Sequence, residues 1–196
     1  MRLGIDFDNT LADFVALLQR ITRERTGFEM VGLRDRYPNV DDLEPIIHEA
    51  VGKERFEAFM TEIGETDLTL QMEPRPGAVE VARRLAAQHE LVVLTARNDR
   101  ETRAVERWAE RHGIPIAGIV GTDRQPKASH AIEHGLSIHL DDTASVLEAF
   151  DEAHPTVPAL IAHPMNAKSP RAAHWRSVED WLAFERLVAA LAAERR

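Results

Sequence analysis

The sequence contains no cysteine, and its basic side chains are fewer than its acidic ones. Without cysteine the chain can form no disulfide, no thiolate nucleophile and no zinc–thiolate site, which suits a reducing compartment and predicts a cytoplasmic protein. The 24 Lys and Arg against 33 Asp and Glu give a formal net charge of −9, which argues against a nucleic acid polymer or an anionic membrane surface as a partner. The sequence also shows no leader and no apolar run long enough to span a bilayer, so we expect no membrane partner.

Short apolar runs alternate with helical patterns along most of the 196 residues. Such alternation predicts an α/β fold with a doubly wound, Rossmann-like parallel sheet. We expect five strands, at residues 2–5, 91–94, 116–120, 138–140 and 157–161. Near the end of the chain, Ser-Val-Glu-Asp at residues 177–180 matches a capping box and predicts the start of the last helix.

One long stretch, residues 13–72, breaks the alternation because its patterns are helical throughout. We interpret it as a small helical cap domain inserted after the first strand, with residues 1–12 and 73–196 as the α/β core domain. Within the cap, the charged residues 34–42 predict a loop, and an exposed cap could mediate a homodimer. Its aromatic side chains, Phe14, Phe28, Tyr37, Phe56 and Phe59, could stack on a nucleobase, and Phe14 is the best candidate for a substrate contact. For Phe56 and Phe59, three residues apart on one helix face, we favour a place in the core of the cap.

The stretch from Asp6 to Thr10 directly follows the first predicted strand. Ligands of open α/β sheets bind at the carboxyl ends of strands. Side chains at i and i+2 of an extended chain point to the same side, so Asp6 and Asp8 can face one metal ion or one phosphate. Taken alone, the stretch fits equally well an Asx-type turn in which Asn9 and Thr10 cap the next helix.

Polar residues also stand at three later element boundaries. One predicted strand ends on Thr95, another ends on Asp141 and Asp142, and Lys127 opens a helix. A parallel sheet would bring these ends to one edge. A lone lysine is more often solvated, but a cation is disfavoured at a helix N-terminus, so the position of Lys127 hints at a nearby anion.

In chain order, Asp6-x-Asp8-x-Thr10, Thr95, Lys127 and Asp141-Asp142 resemble the haloacid dehalogenase-like hydrolase superfamily, most of whose members are magnesium-dependent phosphatases. The resemblance spans residues 2–160. Further residues are similar to its 5'-nucleotidase and deoxyribonucleotidase branch: Leu11-Ala12-Asp13-Phe14, Pro76-Gly77-Ala78, Trp108, Asn166 and Trp175.

The resemblance implies a role for each of the acidic residues. Asp6 would be the nucleophile that forms an aspartyl-phosphate, and Asp8 the general acid that then serves as base. The Asp6 side chain, the Asp8 backbone carbonyl and Asp142 would hold Mg²⁺, with Asp141 a weaker or outer ligand. Residues 143–146 lack the further Asp that the superfamily often carries after this pair.

The same resemblance implies how a substrate would be held. Lys127 would neutralise charge in the transition state, and phosphate oxygens would be bound by the Thr95 hydroxyl and the amides of Ala96 and Asn9. Phe14 and Arg97 are the candidate substrate-binding residues. The implied partner is a small phosphorylated metabolite, with a nucleoside monophosphate as the leading candidate.

Three other functions remain open on the sequence alone. A 2-haloacid dehalogenase would keep Asp6 but would not need an acid at Asp8, because halide leaves without a proton. A receiver-type phospho-acceptor module would carry its acceptor Asp where this chain has Thr95. The His-x-x-Glu-His pattern at residues 130–134 matches a zinc metalloprotease helix, although a solvated helix face also accounts for it.

Overall fold

The computed structural model describes residues 1–30 and 40–195 of the chain. Within that part of the chain, one parallel sheet contains six strands: β1 Arg2–Ile5, β2 Glu90–Thr95, β3 Gly118–Gly121, β4 Ile138–Asp141, β5 Val157–Ile161 and β6 Arg176–Val178. They lie side by side in the order β3-β2-β1-β4-β5-β6. The chain therefore adds strands first on one side of β1 and then on the other, which confirms the doubly wound parallel fold.

The helices lie between and after the strands. Among the described residues they are α1 Phe14–Thr26, α2 Val40–Val51, α3 Lys53–Glu65, α4 Ala78–Ala86, α5 Asp99–Arg111, α6 Lys127–Glu133, α7 Ala144–Leu147 and α8 Trp181–Glu194. Two 3-10 helices, Asp67–Gln71 and Pro164–Asn166, complete the set. None of these described helices is both long and apolar enough to cross a bilayer.

The prediction of five strands is corrected to six, because β6 pairs with β5 from Ala159 opposite Arg176 to Ile161 opposite Val178. The predicted capping box at residues 177–180 is also wrong, since part of it lies in β6. Asp180 alone caps α8, and its carboxylate accepts the amide of Ala183. A three-residue edge strand is too short for hydrophobic periodicity to reveal it.

The predicted loop at residues 34–42 falls mostly on residues 31–39, which lie outside the described part of the chain, as does Tyr37. Its last residues belong to α2, which begins at Val40 rather than near residue 43. Phe56 and Phe59 are buried within α3. The division into a core domain and a cap at residues 13–72 stays a prediction.

The strand β2 shows how the sheet is covered. After the exposed Glu90, its residues are buried without alternation, yet successive side chains enter different cores. Leu91 and Val93 belong to the cluster that includes α4, α5 and α8, whereas Val92 and Leu94 belong to a second cluster with Phe150 and Trp175. A central parallel strand covered on both faces has this pattern. Each buried aliphatic side chain contributes about 1.5–3 kcal/mol, so the sheet is a rigid support for its carboxyl edge.

Candidate active site

Asp6 lies directly after β1, where hydrogen bonding to the neighbouring strand continues for one more residue. Its amide donates to the carbonyl oxygen of Leu140 in β4 (2.9 Å), which fixes the backbone there. Phe7, the next residue, is fully buried. Alternation along the chain therefore directs Asp6 and Asp8 to one side, and both line a cavity of about 320 Å³.

The same cavity collects all the predicted catalytic, metal-binding and phosphate-binding residues, together with Phe14 and Arg97, but not Phe28, Phe56 or Phe59. Its lining includes Asp6, Asp8, Asn9, Phe14, Thr95, Ala96, Arg97, Lys127, Asp141 and Asp142. These residues come from the ends of β1, β2 and β4, the start of α1 and the start of α6, around the strand where the winding of the sheet reverses. The structure thus makes them neighbours, while their individual roles stay predictions.

Lys127 is buried at the first position of α6 rather than solvated. Its Nζ donates to Oδ1 of Asp6 (2.6 Å) and to Oδ2 of Asp141 (2.7 Å). Burial on its own lowers the pKa of Lys127, but the charges of Asp141 and Asp6 outweigh burial and raise that pKa above its usual value. The lysine therefore stays protonated between the two carboxylates.

Asp141 is occupied on both of its oxygens. Its Oδ2 accepts from Lys127 and faces Nε2 of His139 at 3.0 Å, and its Oδ1 accepts the amide of Thr143 (2.9 Å). Burial would raise the pKa of Asp141, but Lys127 and the hydrogen bond from His139 hold it well below its usual range. Few lone pairs remain for a cation, so the geometry favours Asp141 as a residue that orients Lys127.

Asp142 and Asp6 are the two carboxyl groups of the site whose pKa is raised. Burial raises the pKa of Asp142 well above its usual value, and the nearby Asp141 and Asp6 add to the shift. Burial, opposed by Lys127 but reinforced by Asp141 and Asp8, raises the pKa of Asp6 to about 7. Ligand atoms of Asp6, Asp141 and Asp142 lie within 4.8 Å of one another. Carboxylates that disfavour ionising together fit a hard divalent cation, which takes oxygen ligands.

The predicted phosphate-binding groups lie at the same edge. Asn9 has φ 60°, a left-handed conformation that Asn tolerates better than most residues. Its side chain accepts the amide of Val15 (3.0 Å), and its own amide donates to the carbonyl oxygen of Ala12 (2.7 Å). Thr95 is buried at the end of β2, and its hydroxyl accepts the amide of Arg97 at 3.4 Å. A phosphate here would share the Asn9 amide with Ala12.

Asp8 lies in a different environment from Asp6. Its two carboxylate oxygens accept from Nε and Nη2 of Arg97, at 2.9 and 2.8 Å, in a bidentate ion pair. The third nitrogen of Arg97, Nη1, donates to the hydroxyl of Thr69 (2.9 Å) in the 3-10 helix Asp67–Gln71. The guanidinium also lies 4.9 Å from the centroid of the Phe7 ring. The predicted substrate contact Arg97 thus binds protein groups through all three nitrogens.

The lining of the cavity also contains a group that the sequence did not indicate. Glu101 in α5 accepts the amide of Asn98 (2.7 Å) and pairs with Arg124 (3.1 Å). Gly64 in α3 lies so close that a Cβ there would be 2.5 Å from Oε1 of Glu101. Glu101 is therefore fixed from three directions at the place where α3 meets α5.

Two other residues near the site, His139 and Thr69, were not predicted from the sequence, although a sequence signal existed for His139. His139 stands two positions before Asp141 on β4, so strand alternation alone predicts that the two share a side of the sheet. Burial lowers the pKa of His139, and a neutral ring that faces a carboxylate through Nε2 carries its proton there. Thr69 offered no signal, because a threonine in a short polar helix has many ordinary uses.

The histidine pattern at residues 130–134 forms its own small group. Ligand atoms of His130, Glu133 and His134 lie within 4.8 Å of one another. The three residues are not part of the lining of the cavity that holds Asp6. A zinc hydrolase on this pattern would therefore need a site separate from the carboxylate cavity.

The doubly wound parallel sheet has carboxylates after β1 and at the end of β4, a hydroxyl at the end of β2 and a buried lysine at the start of α6. This arrangement is typical of a haloacid dehalogenase-like hydrolase. Solved structures share this fold at low identity, and three of them illustrate the range. An L-2-haloacid dehalogenase is 17% identical, covers 95% of this chain and 98% of its own, and gives a TM-score of 0.60. A candidate phosphoglycolate phosphatase from Lactobacillus plantarum is also 17% identical, covers 95% of this chain and 98% of its own, and gives a TM-score of 0.60. A hydrolase of this superfamily from Deinococcus radiodurans, solved with bound phosphate and sodium, is 14% identical, covers 97% of this chain and 96% of its own, and gives a TM-score of 0.61.

The chain belongs to the family described as 5' nucleotidase, deoxy (pyrimidine), cytosolic type C protein, which it matches over residues 1–190. No curated protein matches the chain. The predicted superfamily and its nucleotidase branch are both confirmed by this family. The chain is thus an enzyme of the phosphatase type.

Proposed function

We propose that the protein is a Mg²⁺-dependent phosphomonoesterase that acts on a small phosphorylated metabolite, with a nucleoside monophosphate as the leading substrate. The observation that carries the proposal is the contact between Asp6 and Lys127 inside the carboxylate cavity. A buried carboxylate directed into a cavity can attack phosphorus, and a buried cation beside it can compensate charge on the phosphoryl oxygens. Membership in the nucleotidase family supports the substrate class.

The chemistry proceeds in two displacements. An oxygen of Asp6 attacks phosphorus while the bond from phosphorus to the leaving oxygen breaks, and Asp8 passes its proton to that oxygen. Water then attacks the phosphorus of the aspartyl-phosphate and gives a proton to Asp8. This second step releases inorganic phosphate and restores the Asp6 carboxylate.

The remaining residues position the reactants. Asp6, Asp142 and the backbone carbonyl of Asp8 would hold the cation, and Asp141 would keep Lys127 in place. When bound, Mg²⁺ supplies positive charge that orients the phosphate and offsets the charge of the carboxylates. Phe14 lies at the cavity wall, where a nucleobase or another apolar substituent could pack.

Phosphate release from a panel of nucleoside monophosphates, sugar phosphates and p-nitrophenyl phosphate tests this proposal. We expect release with Mg²⁺, loss of release with EDTA, and none from Asp6→Asn protein. A preference for nucleotides supports the leading substrate, and a preference for sugar phosphates overturns it while leaving the phosphomonoesterase intact. Release of chloride from 2-chloropropionate, without phosphate release from any ester, would replace the proposal with a dehalogenase.

A further inference from the structure

The carboxylate of Asp8 is held by the protein on both oxygens. Nε and Nη2 of Arg97 contact it at 2.9 and 2.8 Å, in the planar fork geometry that arginine offers and lysine does not. In this ion pair Asp8 is ionised, so to protonate a leaving group in the cavity it must first take up a proton, and one of its oxygens must turn away from this fork. The location of Arg97 therefore decides where Asp8 starts and how far it has to turn.

Arg97 itself is held by groups outside the reaction. Only 7% of its side chain is exposed, against 28% for Asp8. The ring of Phe7 lies under the guanidinium, and Phe7 in turn packs edge-on against Trp108 with centroids 5.2 Å apart. Arg97 is thus the fixed member of the pair, and Asp8 is the member that can move.

The remaining nitrogen of Arg97 connects this pair to the helical stretch between β1 and β2. Nη1 donates to the hydroxyl of Thr69, and that hydroxyl donates in turn to the carbonyl oxygen of Ile63 at the end of α3 (2.5 Å). Three residues after Thr69, the carbonyl oxygen of Met72 accepts the indole N–H of Trp108 (2.9 Å). The segment from Thr69 to Met72 is therefore bound by Arg97, which holds Asp8, and by Trp108 in α5.

We propose that Arg97 is a positioning residue that fixes the Asp8 carboxylate at the cavity wall and ties its position to the inserted helical segment through Thr69. The proposal rests on the proposed function, because it assigns Arg97 to the general acid of that reaction. It replaces the expectation that Arg97 contacts the substrate. In this arrangement, Thr69 affects the chemistry without lining the cavity.

The leaving group of the substrate gives a selective test. A sugar alkoxide needs a proton to depart, whereas p-nitrophenolate departs unprotonated, so only the alkyl ester depends on a well-placed acid. The ratio kcat/KM reports the steps up to departure of the leaving group and excludes hydrolysis of the aspartyl-phosphate. Comparing kcat/KM for the best alkyl phosphate of the panel with that for p-nitrophenyl phosphate therefore isolates the work of Asp8.

The variants are Arg97→Lys, which keeps the charge but loses the fork, and Thr69→Val, which keeps the shape but loses the hydroxyl. Asp8→Asn sets the benchmark for a lost acid. We expect Arg97→Lys to lower kcat/KM for the alkyl phosphate roughly 30-fold and for p-nitrophenyl phosphate less than about threefold, with both KM values nearly unchanged. Thr69→Val should show the same selectivity at roughly a third of the size, and Thr69→Ser, which restores the hydroxyl, should regain most of the loss.

Other results would overturn the proposal. Equal losses on both substrates would make Arg97 a structural residue or a phosphate ligand, and a raised KM with unchanged kcat would make it a substrate contact. No loss in Thr69→Val would remove the connection to the inserted segment. Failure of the proposed function is separately visible, because wild-type protein would then release phosphate from neither substrate, which removes the role of Asp8 on which Arg97 acts.

Discussion

Asp6 and Asp8 stand two residues apart on the same strand end, but the protein fixes them by different means. Asp6 contacts Lys127 at the start of α6, and its other neighbours Asp141 and Leu140 belong to β4, so the sheet and α6 together determine its position. Asp8 contacts Arg97, which is attached to Thr69 in the inserted segment. In the proposed mechanism, the nucleophile Asp6 would therefore be placed by β1, β4 and α6, whereas the acid Asp8 would be placed by Arg97 together with the helical residues between β1 and β2. Changes in the insertion should therefore affect proton transfer before they affect attack on phosphorus.

The largest expected effect comes from removing the nucleophile. Asp6→Asn should lower phosphate release by about 10⁴-fold or more, to the level of the blank, since no other residue in the cavity can replace the covalent step. Asp8→Asn should retain measurable single-turnover labelling from p-nitrophenyl phosphate, because attack at Asp6 does not need the acid for that leaving group. Rapid-quench kinetics distinguish the two variants. Labelling of Asp6→Asn protein would refute the assignment of the nucleophile.

Removing the ammonium group of Lys127, which contacts the proposed nucleophile Asp6, should lower the stability of the protein as well as its rate. Lys127→Met leaves the carboxylates of Asp6 and Asp141 buried without their partner, and we expect the free energy of unfolding to fall by about 3 kcal/mol or more in EDTA. The matched control is Arg2→Met, which removes an exposed partner of Glu90 and should leave the midpoint of urea unfolding unchanged. A Lys127→Met midpoint equal to that of wild type would show that the buried pair carries no net stability.

His139 provides a test on the residues around Asp6, to be compared with the test at Arg97 on the residues around Asp8. Its Nε2 faces Asp141, which holds Lys127, so His139→Asn should lower kcat/KM about tenfold on aryl and alkyl phosphates alike. This equal loss contrasts with the selective loss expected for Arg97→Lys. Steady-state kinetics on both substrates provide the measurement. A selective loss for the alkyl ester would mean that the two sides of the site are not separate.

The smallest effect concerns pH. Asp6 titrates near 7 in the folded protein but near 3.8 when unfolded, so the folded state binds more protons between these values and its stability falls as pH rises through them. Asp6→Asn removes this titration. In EDTA, the thermal midpoint of Asp6→Asn protein relative to that of wild type should therefore rise as the pH is raised from about 4 to about 7. A constant difference across that range would contradict the raised pKa.

Much of the carboxyl edge could be predicted because its residues follow strands that buried apolar runs reveal. The doubly wound sheet and the grouping of Asp6, Thr95, Lys127 and Asp142 follow from strand ends that must meet at one edge. The partners within that edge could not be predicted. Whether Asp8 pairs with a metal, a substrate or Arg97 depends on side-chain distances that periodicity does not contain.

The sixth strand and Thr69 were missed for related reasons. The strand Arg176–Val178 pairs only along one edge of β5, and three residues give no period to detect. The hydroxyl of Thr69 matters only because α3 and the 3-10 helix bring it to Arg97, which is a tertiary fact. Residues 143–146 lack the further Asp that the superfamily often carries, and Asp141 here takes its partners from Lys127, His139 and Thr143.

The close approach of Gly64 to Glu101 sets a limit on how this protein can diverge. A methyl group at Gly64 would push Glu101 away from the amide of Asn98 and from Arg124. In a saturation library of α3, we expect position 64 to accept fewer side chains than the exposed positions around it, because each of them would displace Glu101. Tolerance to mutation is therefore uneven along α3. Substitutions that adapt the protein to another substrate should occur at the exposed positions of α3 before they occur at the buried Gly64.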